Sequence, residues 1–137
     1  MRVLPLSYQL YSAPDSANIV IQMILEQLGA RYELIWIDRS VQEHQQQAFR
    51  RLNPQGLIPV LLDDGVPMFE TAAIALQLSD KHRGLAPQAS PERSRFLQWL
   101  FYLSNTLHAD LRIRFYPHRY VSQAALNHEG LNQEELS

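Results

Sequence analysis

The sequence predicts an α/β fold in which a βαβ unit and a ββα unit form one domain, followed by an incomplete all-helical domain. Three observations support this prediction. A run of alternating apolar and polar residues is followed by apolar residues at helical spacing and then by a run of β-forming residues. A hairpin signal at Asp64-Gly65 joins two short strands. Beyond a linker, apolar residues recur at helical spacing as far as Pro117.

The βαβ unit occupies the first part of the chain. Residues 4–11, LPLSYQLY, alternate apolar and polar side chains from Leu6 onward, as a half-buried strand does. Turn-forming residues, SAPDSAN, then precede an apolar helical repeat that Gly29 ends. Residues 32–37, YELIWI, form a second strand. A strand, a helix and a strand in this order predict two parallel strands.

A polar segment, residues 38–52, links the two units. It carries several glutamines along a predicted short helix, and the direct interpretation is a solvated helix face.

The ββα unit lies in residues 53–80, NPQGLIPVLLDDGVPMFETAAIALQLSD. Pro59 opens an apolar run, and a strand tolerates proline at its first position. Asp64-Gly65 supplies the positive φ angles of a two-residue turn before a second short strand. Glu70 and Thr71 then begin a helix that ends before Gly84.

Residues 84–90, GLAPQAS, have the composition of a linker. We therefore predict one domain at residues 1–84 and a partial helical domain at residues 85–137. Ser90 is the candidate N-cap of the next helix, with Pro91 in its first turn.

The helix after the linker carries an apolar stripe, which has to pack on another body. Pro117 ends or kinks this helix, and beyond Val121 we expect at most a short helix and a frayed end. The stripe consists of Phe96, Leu100, Leu103, Leu107 and Leu111.

Composition excludes several classes of function. The net charge of -2 gives no general attraction to nucleic acid or to an anionic membrane. The chain has no cysteine, which excludes disulfides, thiolate zinc sites and a protein thiol nucleophile. Its histidines lack metal-binding spacing, so we expect no metal site. No signal peptide or membrane-length apolar stretch is seen, so we expect a cytoplasmic protein.

Two features of residues 53–80 favour a peptide-like ligand with a free amino acid end. Ile58 precedes a proline and is held extended, so its N–H and C=O need a partner outside the strand. Glu70 and Thr71 open a helix, where free N–H groups and the positive dipole end attract a carboxylate. The alternatives are an ordinary trans proline at Pro59 and an ordinary capped helix start.

The pattern Asn53-Pro54-x-Gly56-x-Ile58-Pro59-x-Leu61, followed by Glu70-Thr71 and an alanine-rich helix, resembles the glutathione-binding half of the glutathione S-transferase superfamily. The resemblance implies a thioredoxin-like domain, a cis Ile58–Pro59 bond, glutathione as co-substrate and a homodimer. It also implies that the polar segment overhangs the binding site. Family members often carry a lysine where this sequence has Leu57.

The resemblance further implies how glutathione is held. Leu57, Ile58 and Pro59 pair with its backbone, while Glu70 and Thr71 hold the γ-glutamyl amine and carboxylate.

On the thiol side, a hydroxyl at the start of the first helix stabilises the thiolate in this family. Ser16 is our candidate for this catalytic role, with Asn18 supporting it or substituting for it. Tyr8, Tyr11 and Ser12 are rival donors. Simple N-capping is the alternative role of Ser16.

The function implied is that of a detoxifying transferase, in which bound glutathione attacks a small-molecule electrophile. Two alternatives remain open. One is a glutathione-dependent disulfide reductase or peroxidase that uses no protein cysteine, and the other is a non-catalytic interaction module. The electrophile stays undefined, because the helical domain that shapes its site is present only in part.

Overall fold

A computed structural model describes residues 8–121 of the 137-residue chain. The chain divides into two compact units, Met1–Ser94 and Arg95–Ser137. The domain boundary after residue 84 rests on composition and stays a prediction. Within residues 8–121 no helix is both long enough and apolar enough to cross a membrane.

The βαβ unit consists of strand β1 (Tyr8–Ser12), helix α1 (Asn18–Gln27) and strand β2 (Tyr32–Trp36). β1 and β2 pair in parallel, with Tyr8 opposite Tyr32, which confirms the predicted unit. Side chains of β1 alternate between buried and half-buried, as the sequence alternation predicts. The strand prediction for residues 4–7 lies outside the described residues.

The ββα unit consists of strand β3 (Val60–Asp63), strand β4 (Val66–Phe69) and helix α3 (Thr71–Lys81). Asp64 and Gly65 have φ angles of 50° and 82°, which confirms the predicted hairpin turn. The strands form one mixed sheet in the order β2-β1-β3-β4, and β3 runs antiparallel to both of its neighbours. This is the thioredoxin-like arrangement.

The polar segment contains a 3-10 turn, Glu43–Gln45, and a short helix α2, Gln47–Arg50. Phe49 on α2 is only 3% exposed and joins an apolar cluster with Ile37 and Val60. One side of this segment is therefore anchored to the sheet, while its glutamines, residues 42 and 45–47, are exposed on the solvated face that the sequence predicts.

The main core lies between one face of the sheet and the helices α1 and α3. Apolar side chains at helical spacing on α1 and α3 meet the buried residues of β1 and β3 there, which explains why this half of the chain folds as one layer on the sheet. The buried residues of this cluster are Tyr8, Leu10, Ile21, Leu25, Leu61, Ile74, Ala75 and Leu78.

Helix α4 (Glu92–Phe101) begins in the last residues of the first unit. It continues through a π-helical stretch (Tyr102–Leu107) into helix α5 (His108–Phe115). A 3-10 turn begins at Pro117, so the predicted end of the helix is confirmed. The Ser90 hydroxyl contacts the hydroxyl of Ser94 at 3.2 Å rather than a backbone N–H.

The described residues of the second unit expose many large apolar side chains. Their exposed fractions lie between 41% and 69%. The residues are Trp99, Phe101, Tyr102, Leu103, Leu107, Leu111, Ile113, Phe115, Tyr116, Tyr120 and Val121.

Two substitutions within α1 test the position of the core. Ile21 is 0% exposed and Met23 is 66% exposed. We expect Ile21→Ala to lower the free energy of unfolding by about 2–5 kcal/mol, because it leaves a cavity. The matched change Met23→Ala should alter it by less than about 0.5 kcal/mol. Urea unfolding measures both values, and equal losses for the two variants would contradict this core.

Candidate functional site

Strand register brings three loop segments to one end of the sheet. Val60, the first residue of β3, pairs with Phe69 at the end of β4 and with Tyr11 near the end of β1. The residues just before Val60, just after Phe69 and just after β1 therefore leave the sheet together. These segments are residues 57–59, residues 70–71 and residues 13–17. They hold the site residues predicted from sequence except Asn18, which follows directly as the first residue of α1.

The spacing of these segments suits a small peptide. β1 and β4 flank β3, so they lie two strand spacings apart, which is about 10 Å. A fully extended tripeptide spans about 10 Å as well.

Asn53 supports the segment that leads into β3. Its side chain is 2% exposed. The amide nitrogen donates to the carbonyl of Leu57 at 2.9 Å, and the amide oxygen accepts the N–H of Gln55 at 3.0 Å. The carbonyl of Leu57 is thus already used within the protein, whereas no backbone group of residues 8–121 accepts the Leu57 N–H.

Gly56 lies in this segment where no side chain fits. Its φ angle is +64°, and a Cβ atom built on it lies 2.7 Å from Nε2 of Gln45 and 2.8 Å from the backbone oxygen of His44. Gln45 also donates to the Gly56 carbonyl at 3.2 Å. The polar segment is thereby held directly against residues 53–57.

Ile58 presents the backbone edge that the sequence predicts. The Ile58–Pro59 peptide bond is cis, and the half-buried Ile58 side chain packs on the Phe49 cluster. Across residues 8–121, no backbone group hydrogen-bonds to the N–H or the C=O of Ile58. Both groups are therefore available to an extended peptide.

Glu70 and Thr71 form the amino end of α3. Glu70 has a φ angle of 74°, which is unusual for a residue other than glycine. Its carbonyl accepts the N–H of Ile74 at 2.9 Å, so the helix begins here, and its first N–H groups have no partner within the helix. Thr71 is half-buried and Glu70 is exposed. This end of the helix suits a carboxylate.

Ser16 and Asn18 occupy different environments at the start of α1. Asn18 is 1% exposed, and its side-chain oxygen accepts the N–H of Ala13 at 3.2 Å. Ser16 is half-buried. Ala17 takes the N-cap position of α1, without a side-chain capping bond. The capping role considered for Ser16 is therefore wrong, and the supporting role of Asn18 stays a prediction.

Two of the rival thiol donors are directed elsewhere. The Tyr8 hydroxyl, at the opposite end of β1, lies 2.8 Å from Nε2 of His82. Burial raises the pKa of Tyr8. The Ser12 hydroxyl is fully buried and donates to the Leu10 carbonyl at 3.2 Å. Tyr11 is half-buried, and its ring meets the Phe49 ring edge-on with 5.8 Å between the ring centroids. Tyr11 therefore stays an alternative to Ser16.

Sequence reasoning missed a fourth loop at this end of the sheet, which follows β2. The Asp38 carboxylate accepts the backbone N–H of Ser40 at 2.8 Å and the Ser40 hydroxyl at 2.5 Å. These bonds lower the Asp38 pKa from its ordinary value of 3.8, with the hydroxyl contributing most. The Asp38 N–H in turn donates to the Glu43 carboxylate at 2.7 Å. An Asp followed by a Ser two residues later was the available signal.

Comparison with known families shows to which family this chain belongs. Residues 6–79 match the model of the glutathione S-transferase N-terminal domain. The chain belongs to the glutathione S-transferase family.

Two curated relatives of this glutathione S-transferase family member differ in their described roles. The disulfide-bond oxidoreductase YfcG of Escherichia coli is 33% identical over 100 residues, covering 68% of this chain and 46% of that protein. The transcriptional regulator URE2 of Saccharomyces cerevisiae is 30% identical over 100 residues, covering 66% of this chain and 28% of that protein.

A solved structure shows the same relationship. A glutathione transferase from Burkholderia graminis, with two glutathione molecules bound per subunit, is 32% identical and has a TM-score of 0.66. The match covers 74% of this chain and 45% of that one. The chain spans less than half the length of the curated relatives that it matches.

Replacing Gly56 should lower the free energy of unfolding by more than the positive φ angle of Gly56 alone explains. Gly29 has a similar φ of +61°, but no described atom lies within 4 Å of an added Cβ, so Gly29→Ala isolates the backbone cost of about 1–2 kcal/mol. We expect Gly56→Ala to lose about 1–3 kcal/mol more, because it forces the chain away from residues 44–45. Urea unfolding measures the difference. Equal losses would show that the loop is loosely packed.

Acid should weaken the loop after β2. Because the folded pKa of Asp38 is depressed, its stabilising contribution is present above the unfolded value and is lost as pH falls through the folded value. We expect Ser40→Ala to raise the Asp38 pKa toward 3.8, since the hydroxyl bond is removed. A carbon-13 NMR titration of the Asp38 carboxyl measures it, and an unchanged pKa in the variant would contradict the assignment.

Proposed function

We propose that this chain binds glutathione and activates its thiol for attack on a small electrophile. The observation that carries the proposal is the backbone of Ile58, next to Pro59, whose N–H and C=O have no backbone partner among residues 8–121. This backbone lies at the same end of the sheet as the amino end of α3. Extended backbone beside an anion-binding helix start matches a peptide that ends in a free amino acid.

The backbone side of the site selects an extended peptide. The N–H and C=O of Ile58 pair with the cysteinyl backbone of glutathione, as one strand pairs with another. The Leu57 N–H lies beside them, while the Leu57 carbonyl stays bonded to Asn53. The Asn53 bonds hold this edge in place before the ligand arrives, which reduces the entropy lost on binding.

The helix side of the site selects the γ-glutamyl end. The Thr71 hydroxyl and the free N–H groups at the start of α3 hold the carboxylate. The exposed Glu70 carboxylate pairs with the amine. Most members of the family carry a serine at the position of Thr71, and threonine keeps the hydroxyl donor.

The remaining end of the ligand carries the thiol. A free thiol has a pKa near 8.5, so lowering it by about two units requires roughly 2.7 kcal/mol of preferential stabilisation of the thiolate. The Ser16 hydroxyl supplies part of this through a hydrogen bond to the anion, and the positive end of α1 adds to it. Asn18 holds the loop that carries Ser16.

In the reaction, the thiolate sulfur forms a bond to the electrophilic carbon. The leaving group departs with the electron pair of the bond that breaks, and the thiol proton passes to solvent. We infer that the active form is a homodimer, because the apolar side chains exposed on the second unit need a covering surface.

A second candidate is a glutathione-dependent disulfide reductase, in which the same thiolate attacks a disulfide sulfur instead of carbon. The 33% identity to the disulfide-bond oxidoreductase YfcG favours it, and this chain has no cysteine of its own to contribute. A non-catalytic module is the third reading, and similarity to the regulator URE2 supports it.

Retention on immobilised glutathione, followed by assays with chlorodinitrobenzene and with a glutathione mixed disulfide, separates these functions. Turnover of the first compound identifies the transferase and turnover of the second identifies the reductase. Retention without turnover of either identifies the module, and an absence of retention contradicts the proposed site.

Ser16→Ala tests the thiol-side assignment. We expect turnover to fall about 100-fold, as on loss of a donor to a developing anion, while retention on glutathione persists. Ser94→Ala, an exposed serine on α4, is the matched control. If Ser16→Ala keeps full turnover, Tyr11 becomes the donor to test.

A further inference from the structure

We propose that Arg39 is a positioning residue that holds the thiol-side loop, residues 13–17, in its working conformation. This inference rests on the proposed function, since the loop matters to catalysis only if it carries the thiolate donor Ser16.

The contact itself crosses between two loops. Nη2 of Arg39, in the loop after β2, donates to the carbonyl of Pro14 at 2.5 Å. Pro14 lies two residues before Ser16 in the loop after β1. Because the guanidinium is charged at every working pH, this is a charge-assisted hydrogen bond, which is stronger than a neutral one.

The loop needs such support at its centre. Asp15 has a φ angle of 50°, a conformation that L-residues adopt rarely and that persists where surrounding contacts enforce it. The Pro14 carbonyl belongs to the peptide unit directly before this turn. Arg39 therefore fixes the orientation of the unit from which the chain turns toward Ser16.

Both ends of the loop are anchored by other bonds. The Ile37 N–H donates to the Ser12 carbonyl at 2.8 Å, and the Ala13 N–H donates to the Asn18 side chain at 3.2 Å. Arg39 supplies the contact to the middle, where the chain leaves β1 and has not yet entered α1.

Arg39 is itself mounted on an ordered loop. The Arg39 carbonyl accepts the N–H of Gln42 at 3.1 Å, and the Asp38 carbonyl accepts the N–H of Glu43 at 3.0 Å. The Asp38 carboxylate bonds to Ser40 complete this turn. An arginine with a fixed backbone loses less entropy on reaching a distant carbonyl than one on a mobile loop.

Two measurements on the full chain test the proposal, with Arg83→Ala as the matched control. Arg83 is exposed, and within residues 8–121 the structure gives it no hydrogen bond or ion pair.

The first measurement is hydrogen exchange, without ligand, of the Ala13 and Ile19 amides, which bond to Asn18 and to the Ser16 carbonyl. We expect Arg39→Ala to speed their exchange about tenfold, since a bond to a charged donor is lost. Arg39→Lys, which keeps a charged donor, should restore most of the protection.

The second measurement is the thiolate absorbance of bound glutathione as a function of pH. We expect Arg39→Ala to raise the pKa of the bound thiol by about one unit, equivalent to a tenfold loss of thiolate. Arg39→Lys should recover part of this shift and Arg83→Ala should show none.

Each result decides the proposal. Unchanged exchange in Arg39→Ala overturns the contact, and faster exchange with an unchanged thiol pKa reduces Arg39 to a structural role. If the unmodified chain holds no glutathione, the proposed function fails, whereas the exchange measurement still decides whether Arg39 holds the loop.

Discussion

The register of β3 within the sheet is the constraint on which the site depends. Val60 is paired on one side with Tyr11 and on the other with Phe69. Because side chains alternate along a strand, a slip of one residue moves every apolar side chain to the opposite face. Leu61 packs in the main core and Val60 in the cluster with Ile37 and Phe49, so such a slip would take each side chain out of its own cluster. The packing of both cores therefore also places the three loop segments together.

Two of these segments are then held by side chains that take no direct part in the proposed chemistry. Asn53 and Gln45 support the backbone edge before β3. Asn18 and Arg39 support the loop after β1. The site is thus formed by two kinds of residue, those that present groups to a ligand and those that fix the presenting backbone.

Local sequence predicts the elements of this fold well, because their signals are local. The hairpin turn at Asp64-Gly65, the strand Val66–Phe69 and the helix that begins at Thr71 all match the prediction. Turn chemistry and periodicity act over a few residues, and a single sequence displays both of them.

The supporting contacts escape such reasoning for the opposite reason. Arg39 and its acceptor Pro14 are 25 residues apart, and neither residue in the sequence predicts a contact with the other. Ser16 shows the same limit at short range. A serine before an apolar helical run suggests an N-cap, yet the helix begins without a side-chain cap. Where a side chain finds its partner depends on the tertiary fold, which local patterns do not encode.

Amide chemical shifts during a titration with glutathione test the central claim most directly. If an extended peptide pairs with the backbone edge beside the start of α3, the largest shifts fall on the N–H groups of Leu57, Ile58 and Thr71. Shifts confined to other parts of the chain, or no shifts at millimolar glutathione, would contradict this site.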